Sequence, residues 1–450
     1  MDAPIKTRVE RGQELELTVD SLAFGGAGVA RRDGYVVFVR DAVPGDRVRA
    51  VVTKRKKAYA EARTVALLEA GPERIDAVAA HPGAPWQVLP YERQIAIKAE
   101  QVDDALRRIG RLDGYELEPL VPAIEQWRYR NKLEYSFGTS DDGDLVCGFH
   151  AAGSWERIEH VEDCLLASEA GNQARRAALE WCRERGLDAY DRRAQTGLLR
   201  NLVVREGRRT GELQVRLVTS DEPVELDGFA EAVGAGSVLW TRARDVGETT
   251  VGGRTEVLHG TEAIEEELGG LRLKISADAF FQTNTEMAER LYGVATEYAR
   301  LQGWERVYDL FCGIGTIGLS LAPRAGEVWG LELVEEAIAD AIANARRNEI
   351  DNVRFFAGDV RLALRQLVET AGRPDVLVVD PPRAGLSAKI VRRVIEAGPT
   401  RIVYVSCNPT TLAPNAAQLV EAGYALRRVR PVDMFPQTPH IECVALLERV

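Results

Sequence analysis

Asp309-Leu310-Phe311-Cys312-Gly313-Ile314-Gly315-Thr316-Ile317-Gly318 closes a short apolar run beginning at Arg306 and opens a segment with helical spacing. Further apolar runs follow at 327–331, 353–356, 376–379 and 402–405, each separated from the next by a helical pattern. Near-continuous apolar strands alternating with helices predict a parallel sheet covered on both faces. In such sheets ligands bind beyond the carboxyl ends of the strands. The residues at those ends therefore carry the functional information. A G-x-G-x-x-G is a weak signal by itself. Glu332, which closes the second run 23 residues after Asp309, strengthens it. An acid at that spacing can accept hydrogen bonds from both hydroxyls of a ribose. A turn glycine or a surface acid would be unremarkable alone; together they point to a nucleoside cofactor. Asp309 before the glycines favours S-adenosylmethionine over a dinucleotide, because that cofactor has an amino group and a sulfonium but no pyrophosphate. The third run leads to Asp359, whose carboxylate could reach an adenine amino group. The fourth ends in Asp380-Pro381-Pro382-Arg383, where the prolines fix the backbone and aim Asp380 from a rigid edge.

The fifth run ends in Ser406-Cys407-Asn408-Pro409. Asn408 suits a helix cap and Pro409 the first helical turn. Cys407 would then lie at a helix N-terminus, where the dipole favours thiolate. A free cysteine is usually a small buried hydrophobe, but this one adjoins Asp380 and the cofactor crevice, which argues for a nucleophile. Near the end of the chain, Phe435-Pro436-Gln437-Thr438-Pro439-His440-Ile441-Glu442 offers a carboxylate. It is either plain surface or a general base. One chemistry uses both groups. Carbon 5 of uracil is a poor nucleophile until a thiolate adds at carbon 6. After methylation a base must remove the carbon 5 proton so that the cysteine can leave. No metal is demanded.

The 450 residues predict two or three domains. With 45% apolar and 28% charged residues the composition is globular. No apolar run reaches the ~18 residues of a membrane span, and residues 1–10 lack the apolar core of a signal peptide. The six scattered cysteines read as reduced thiols. A net charge of −11 argues mildly against nucleic acid, yet residues 1–70 hold 13 Lys/Arg against 10 Asp/Glu. Short alternating runs at 14–19 and 35–39, with glycine turns, predict a small OB-like barrel there. Lys54-Arg55-Lys56-Lys57 would lie at its edge. Farther on, 91–112 carries a helical pattern ending near Gly110, and 128–150 and 198–218 read as strands. The acidic stretch 261–268 reads as solvated surface.

Taken together, these motifs resemble the RNA 5-methyluridine methyltransferase family over nearly the whole chain. Phe24-Gly25-Gly26-Ala27-Gly28-Val29-Ala30 and Phe38-Val39-Arg40-Asp41-Ala42-Val43-Pro44-Gly45-Asp46 look like a TRAM domain. Phe280-Phe281-Gln282-Thr283-Asn284 looks like the family's F-x-Q-x-N segment. The resemblance implies an α/β fold: a Rossmann-like class I methyltransferase domain over 271–450, an N-terminal OB-like barrel over 1–70 that binds RNA, and a central α+β domain over 71–270 that reads it. It implies S-adenosylmethionine contacts from Gln282, Phe311, Thr316, Glu332, Asp359 and Asp380, with Cys407 as nucleophile and Glu442 as proton acceptor. Arg128-Tyr129-Arg130-Asn131-Lys132 resembles a family segment near the RNA, a weaker correspondence. The implied reaction is methylation of a uridine in ribosomal RNA, ahead of transfer RNA, by a cytoplasmic monomer with no membrane partner. Two other readings stay open. One is methylation of an exocyclic amine, disfavoured by Arg383 where an aromatic residue would be wanted. The other is a non-catalytic RNA-binding protein. Two departures matter. Many relatives hold an iron–sulfur cluster on three close cysteines and a fourth farther on. Here the matching stretch, Ala79-Ala80-His81-Pro82-Gly83-Ala84-Pro85-Trp86-Gln87, has none. Cys164 stands alone at the fourth position, so no cluster is expected, and apolar packing is expected to hold the region instead. Thr316 also replaces an asparagine common in relatives.

Overall fold

The computed structural model describes residues 9–151, 153–243, 250 and 252–450, so the leader reading of residues 1–10 falls mostly outside them. In the front part, apolar and charged residues alternate and each such run becomes a strand. Leu15, Leu17 and Val19 point inward from Glu14–Leu22, while Glu14, Glu16 and Asp20 face water. Asp33 and Gly34, at φ 49° and 76°, form the two-residue turn that joins Gly28–Arg32 to Tyr35–Arg40. With Arg47–Arg55 and Tyr59–Glu69 these strands close into a five-stranded barrel. Lys54 to Lys57 sit exposed where the fourth strand ends.

A second sheet, of seven strands, occupies the middle of the chain. Lys132–Thr139, Leu199–Glu206 and Leu213–Thr219 lie near its centre. Their side chains are buried along almost their whole length. The helix Glu169–Glu184 packs on the sheet, capped by Ser168, whose hydroxyl accepts from Gly171 N at 2.9 Å. The acidic stretch expected to be surface is instead the strand Ala263–Leu268. Glu266 is fully buried there, accepting from Arg208 N, Arg209 N and the Thr285 hydroxyl at 2.8, 3.0 and 2.7 Å. Donors arriving from distant parts of the chain make that burial tolerable.

The third sheet carries the motifs. Its order runs Val353–Ala357, Glu327–Glu332, Arg306–Leu310, Val376–Val379, Arg401–Ser406, Glu442–Arg449, Tyr424–Val432 and Glu116–Leu117. The first five are mutually parallel, and Glu442–Arg449 is antiparallel to both its neighbours. The order therefore reverses between Arg306–Leu310 and Val376–Val379, the place where doubly wound sheets open a crevice. The helix Tyr91–Asp104 continues into one π-helical segment, Ala105–Ile109, and packs on Pro409–Glu421 behind this sheet. Among the described residues no helix is long and apolar enough to cross a membrane.

Candidate active site

Each sequence motif arrives at the same edge of the third sheet. Phe311, Glu332, Asp359, Asp380 and Cys407 all lie at, or within two residues beyond, the ends of its parallel strands. Glu442 comes from the opposite direction. Ser406 pairs with Cys443 in an antiparallel register, so the next pair outward is Cys407 and Glu442. The chain reversal between Tyr424–Val432 and Glu442–Arg449 is thus what sets a carboxyl opposite the thiol.

The glycine loop is built by close approach. Gly315 has φ 85°, and a Cβ on it would lie 2.8 Å from the Phe355 ring. Such a position admits only glycine without rearrangement. Phe311 adopts φ 64° and donates its N–H to the Leu331 carbonyl at 2.8 Å. Asp309 accepts from Gly318 N at 2.8 Å through one oxygen, and its other oxygen is buried with no partner. Burial pushes this carboxyl up to about 8, opposed by the Gly318 bond and reinforced by Asp380 and Glu332. Glu332 accepts from Gly313 N at 3.2 Å and from Leu333 N at 2.6 Å, which locks it across the mouth of the loop. Thr316 begins the following helix and donates to the Tyr292 hydroxyl at 3.3 Å. Asp359 is less available than the sequence implied. It caps the helix Val360–Ala371 and pairs with Arg361, which holds its carboxyl below the usual range. Gln282 is buried, and its carbonyl accepts from Asn131 at 2.8 Å. Asn131 also reaches the Thr285 hydroxyl, so the 128–132 segment anchors the F-x-Q-x-N segment.

The acids dominate the electrostatics around the thiol. Burial pushes Asp380 up to about 7. Glu442 rises well above the carboxylate range through burial and then the charge of Asp380, with Arg383 opposing. Cys407, half-buried, is pushed up to about 11 by burial, Glu442 and Asp380, against a smaller pull from Arg383. Asn408 does cap Pro409–Glu421, as its sequence position suggests. Burial, and then the two nearby acids, outweigh what the helix N-terminus contributes, so the thiol is pushed up rather than down, the reverse of the sequence expectation. The other five cysteines are buried. Sequence reasoning also left out His440. Its Nδ1 lies 2.9 Å from the Arg383 guanidinium, its ring meets Phe435 edge-on, and burial followed by Arg383 drives its pKa down to about 4. Its adjacency to Glu442 in the chain was the available signal.

The cluster-equivalent region also differs from expectation. Cys164 is not alone: His81 Nε2 lies 3.3 Å from its sulfur, and its N–H donates to Asn172 at 2.9 Å. Polar bonds hold the loop alongside the apolar packing of Trp86. Gln87 accepts from Val78 N at 2.9 Å and donates to the Ala79 carbonyl at 2.8 Å. This donor set does not fit an iron–sulfur cluster, since the loop supplies no thiolate. No group of three or more metal-ligating side chains occurs among the described residues.

Comparison with known proteins agrees with this geometry. The family described as tRNA (Uracil-5-)-methyltransferase matches residues 255–450, and the TRAM domain matches 8–65. An uncharacterized RNA methyltransferase of Halalkalibacterium halodurans is 39% identical over 98% of both chains. The chain belongs to the RNA uracil-C5 methyltransferase family. Another uncharacterized RNA methyltransferase, from Bacteroides thetaiotaomicron, is 39% identical over 95% of this chain and 100% of its own. The tRNA (uracil-54, C5)-methyltransferase of Pyrococcus abyssi, solved with S-adenosyl-L-homocysteine, superposes with a TM-score of 0.79. It is 28% identical, with 96% of this chain and 99% of that one covered. The enzyme is accordingly an S-adenosylmethionine-dependent RNA methyltransferase. Its crevice suits that cofactor. The tight glycine loop, the orphaned Asp309 oxygen and the carboxylates at neighbouring strand ends match a ligand with ribose hydroxyls and cationic groups.

Proposed function

We propose that the enzyme methylates carbon 5 of a uridine in RNA through a covalent adduct with Cys407. The placement of Cys407 opposite Glu442 at the end of one strand pair, with Asp380 beside both, carries the reading. Cys407 first gives up its thiol proton to solvent and adds to carbon 6 as thiolate, and the electron pair of the carbon 5–carbon 6 double bond moves toward carbon 5 and the carbonyl at carbon 4. Bound S-adenosylmethionine supplies the methyl group as an electrophile. Glu442 then takes the carbon 5 proton, the double bond re-forms and Cys407 leaves as thiolate. Burial raises the proton affinity of Glu442, which makes its ionised form a stronger base, and the Arg383 charge opposes that rise and so favours the ionised form. Gln282, Phe311, Thr316, Glu332, Asp359 and Asp380 would hold the cofactor, Asp359 by giving up part of its bond to Arg361. The target base must leave its stack to reach the thiol. In this reading residues 1–70 and 71–270 hold the RNA and 271–450 perform the transfer, in a cytoplasmic monomer.

Ribosomal RNA is the first substrate to try. Transfer RNA is the second, supported by the similar Pyrococcus abyssi enzyme, a tRNA (uracil-54, C5)-methyltransferase. Incubation with either RNA carrying 5-fluorouridine should yield a protein–RNA adduct that survives denaturation, and Cys407→Ala should abolish both adduct and turnover. Full turnover by the alanine variant would end the covalent reading.

A further inference from the structure

Glu442 reaches the site at the end of an irregular stretch, 433–441, that follows Tyr424–Val432. No strand pairing holds this stretch, yet Asp433, Met434, Gln437, Thr438 and Ile441 are buried. Its position is set from outside. Lys98, on the helix Tyr91–Asp104, donates to Asp433 at 2.6 Å and to the Phe435 carbonyl at 3.0 Å. Both partners of this ion pair are fully buried. The Tyr91 hydroxyl donates to the other Asp433 oxygen at 2.8 Å. One turn farther along, Gln437 adopts φ 65°, a costly conformation for a residue with a Cβ. It is held there by reciprocal bonds with Gln94, at 2.7 and 2.9 Å. The barrel adds its own contact: a Cβ on Gly26 would lie 2.9 Å from Pro439.

A buried ion pair is a poor device for stability, since desolvation consumes most of the Coulomb gain. It is a good device for location, because each partner has one place where its charge is met. Lys98 donates two hydrogen bonds, and both acceptors lie on the stretch that leads into Glu442. Cys407 follows a different element, Arg401–Ser406, to which Lys98 makes no hydrogen bond among the described residues.

We propose that Lys98 is a positioning residue for Glu442: its bonds to Asp433 and the Phe435 carbonyl fix the stretch 433–441, which leads directly into Glu442, the residue that collects the carbon 5 proton. This rests on Glu442 being the proton acceptor. Loss of Lys98 slows the release half of the reaction and spares the addition half. An error of about 1 Å in a reacting group costs up to ~100-fold, so a release defect of roughly tenfold or more is expected.

The test uses the full chain with S-adenosylmethionine labelled in its methyl group and total RNA from a strain lacking the gene. Label retained by protein on a denaturing gel measures the methylated adduct; label in free RNA measures release. Four proteins are compared: wild type, Glu442→Gln, Lys98→Met and the double variant Lys98→Met/Asp433→Asn. The double variant leaves no unpaired buried charge, so it keeps the question open should Lys98→Met alone misfold. Glu442→Gln should hold label on the protein. If it does not, the role of Glu442 falls, and the role of Lys98 with it. Where Glu442→Gln traps label, the Lys98 variants should raise the adduct-to-product ratio roughly tenfold while forming adduct within about twofold of the wild-type rate. Wild-type release by the Lys98 variants overturns the proposal alone. So does an equal loss of both half-reactions, or failure of both variants to fold, because Lys98 would then serve only the fold.

Discussion

Removing the cation beside Cys407 should make the thiol harder to ionise, and the structure allows this to be read without any RNA. The other five cysteines are buried, so iodoacetamide in the absence of substrate reports chiefly on half-buried Cys407. The thiol is pushed up to about 11 by burial, Glu442 and Asp380, with Arg383 the opposing cation. Alkylation by the wild type should therefore climb about tenfold per pH unit from pH 7 to 9.5 and show no plateau, because an ordinary thiol levels off only near ~8.5. Arg383→Gln deletes the opposing charge. A neighbouring opposite charge shifts a pKa by ~1–3 units; taking the low end for a half-buried site, the thiolate fraction falls about tenfold. The more basic thiolate is also more nucleophilic, with a Brønsted slope of ~0.4–0.5, which returns about threefold of that loss. The net expectation is an alkylation rate about threefold lower at pH 8.5, on a line parallel to the wild type. Arg383→Lys should recover most of it. Mass spectrometry of the Cys407 peptide measures both rates. A wild-type plateau below pH 8.5, or an unchanged rate in Arg383→Gln, would refute the electrostatic account.

Two further perturbations follow from local geometry. Gly318→Ala places a Cβ 3.0 Å from an Asp309 carboxylate oxygen and 3.3 Å from Val328; overpacking of this kind costs about 1–3 kcal/mol. A lowered urea midpoint together with weaker S-adenosylmethionine binding by calorimetry is expected, and unchanged binding would count against the crevice as the cofactor site. His81→Leu removes a ring held neutral by burial and by the nearby Arg130, with its pKa lowered from 6.5 to about 4. Between those values the unfolded chain takes up a proton that the folded chain refuses, so the wild type loses stability as pH falls. The variant lacks this loss. Gly83 N–H donates to His81 Nδ1 at 3.1 Å, so the variant should be less stable than wild type at pH 7 by about 1–3 kcal/mol for that lost partner, and the gap should narrow by pH 5. A gap that is constant or widens contradicts the burial of neutral His81.

The parallel part of the third sheet was legible because its central strands, Arg306–Leu310, Val376–Val379 and Arg401–Ser406, are buried along almost their whole length and read as apolar runs. All five predicted runs became strands, with ends moved by at most one residue. The barrel was legible for a different reason: alternation in 14–19 and the Asp33-Gly34 turn are local signals. The acidic strand Ala263–Leu268 was misread because Glu266 is satisfied by Arg208, Arg209 and Thr285, none of which is near it in sequence. The upward push on the Cys407 thiol escaped notice for the same reason. A helix N-terminus is visible within four residues of sequence, whereas Glu442 and Asp380 reach the thiol from other strands.

The loop 79–87 sharpens the point. By sequence it is defined by what it lacks, three cysteines, and that absence suggests a region left with packing alone. The structure shows what the loop still does. Trp86 N–H donates to the Gln437 carbonyl at 2.9 Å, and the Trp86 and Leu89 carbonyls both accept from Gln94 at 3.0 Å. Gln94 in turn holds Gln437, five residues before Glu442 begins the last strand. His81 occupies the space beside Cys164, and Lys98 lies 5.6 Å from the Trp86 ring. Every one of these bonds needs the loop in one conformation, and none needs a metal. A cross-link through a cluster would tie the loop to Cys164; here His81 makes that tie with a single contact, and the glutamines carry the constraint onward to the stretch that ends at Glu442. The catalytic carboxyl of the proposed reaction is therefore positioned by side chains more than 300 residues away in sequence, which is why no reading of 435–442 alone could have recovered how it is held.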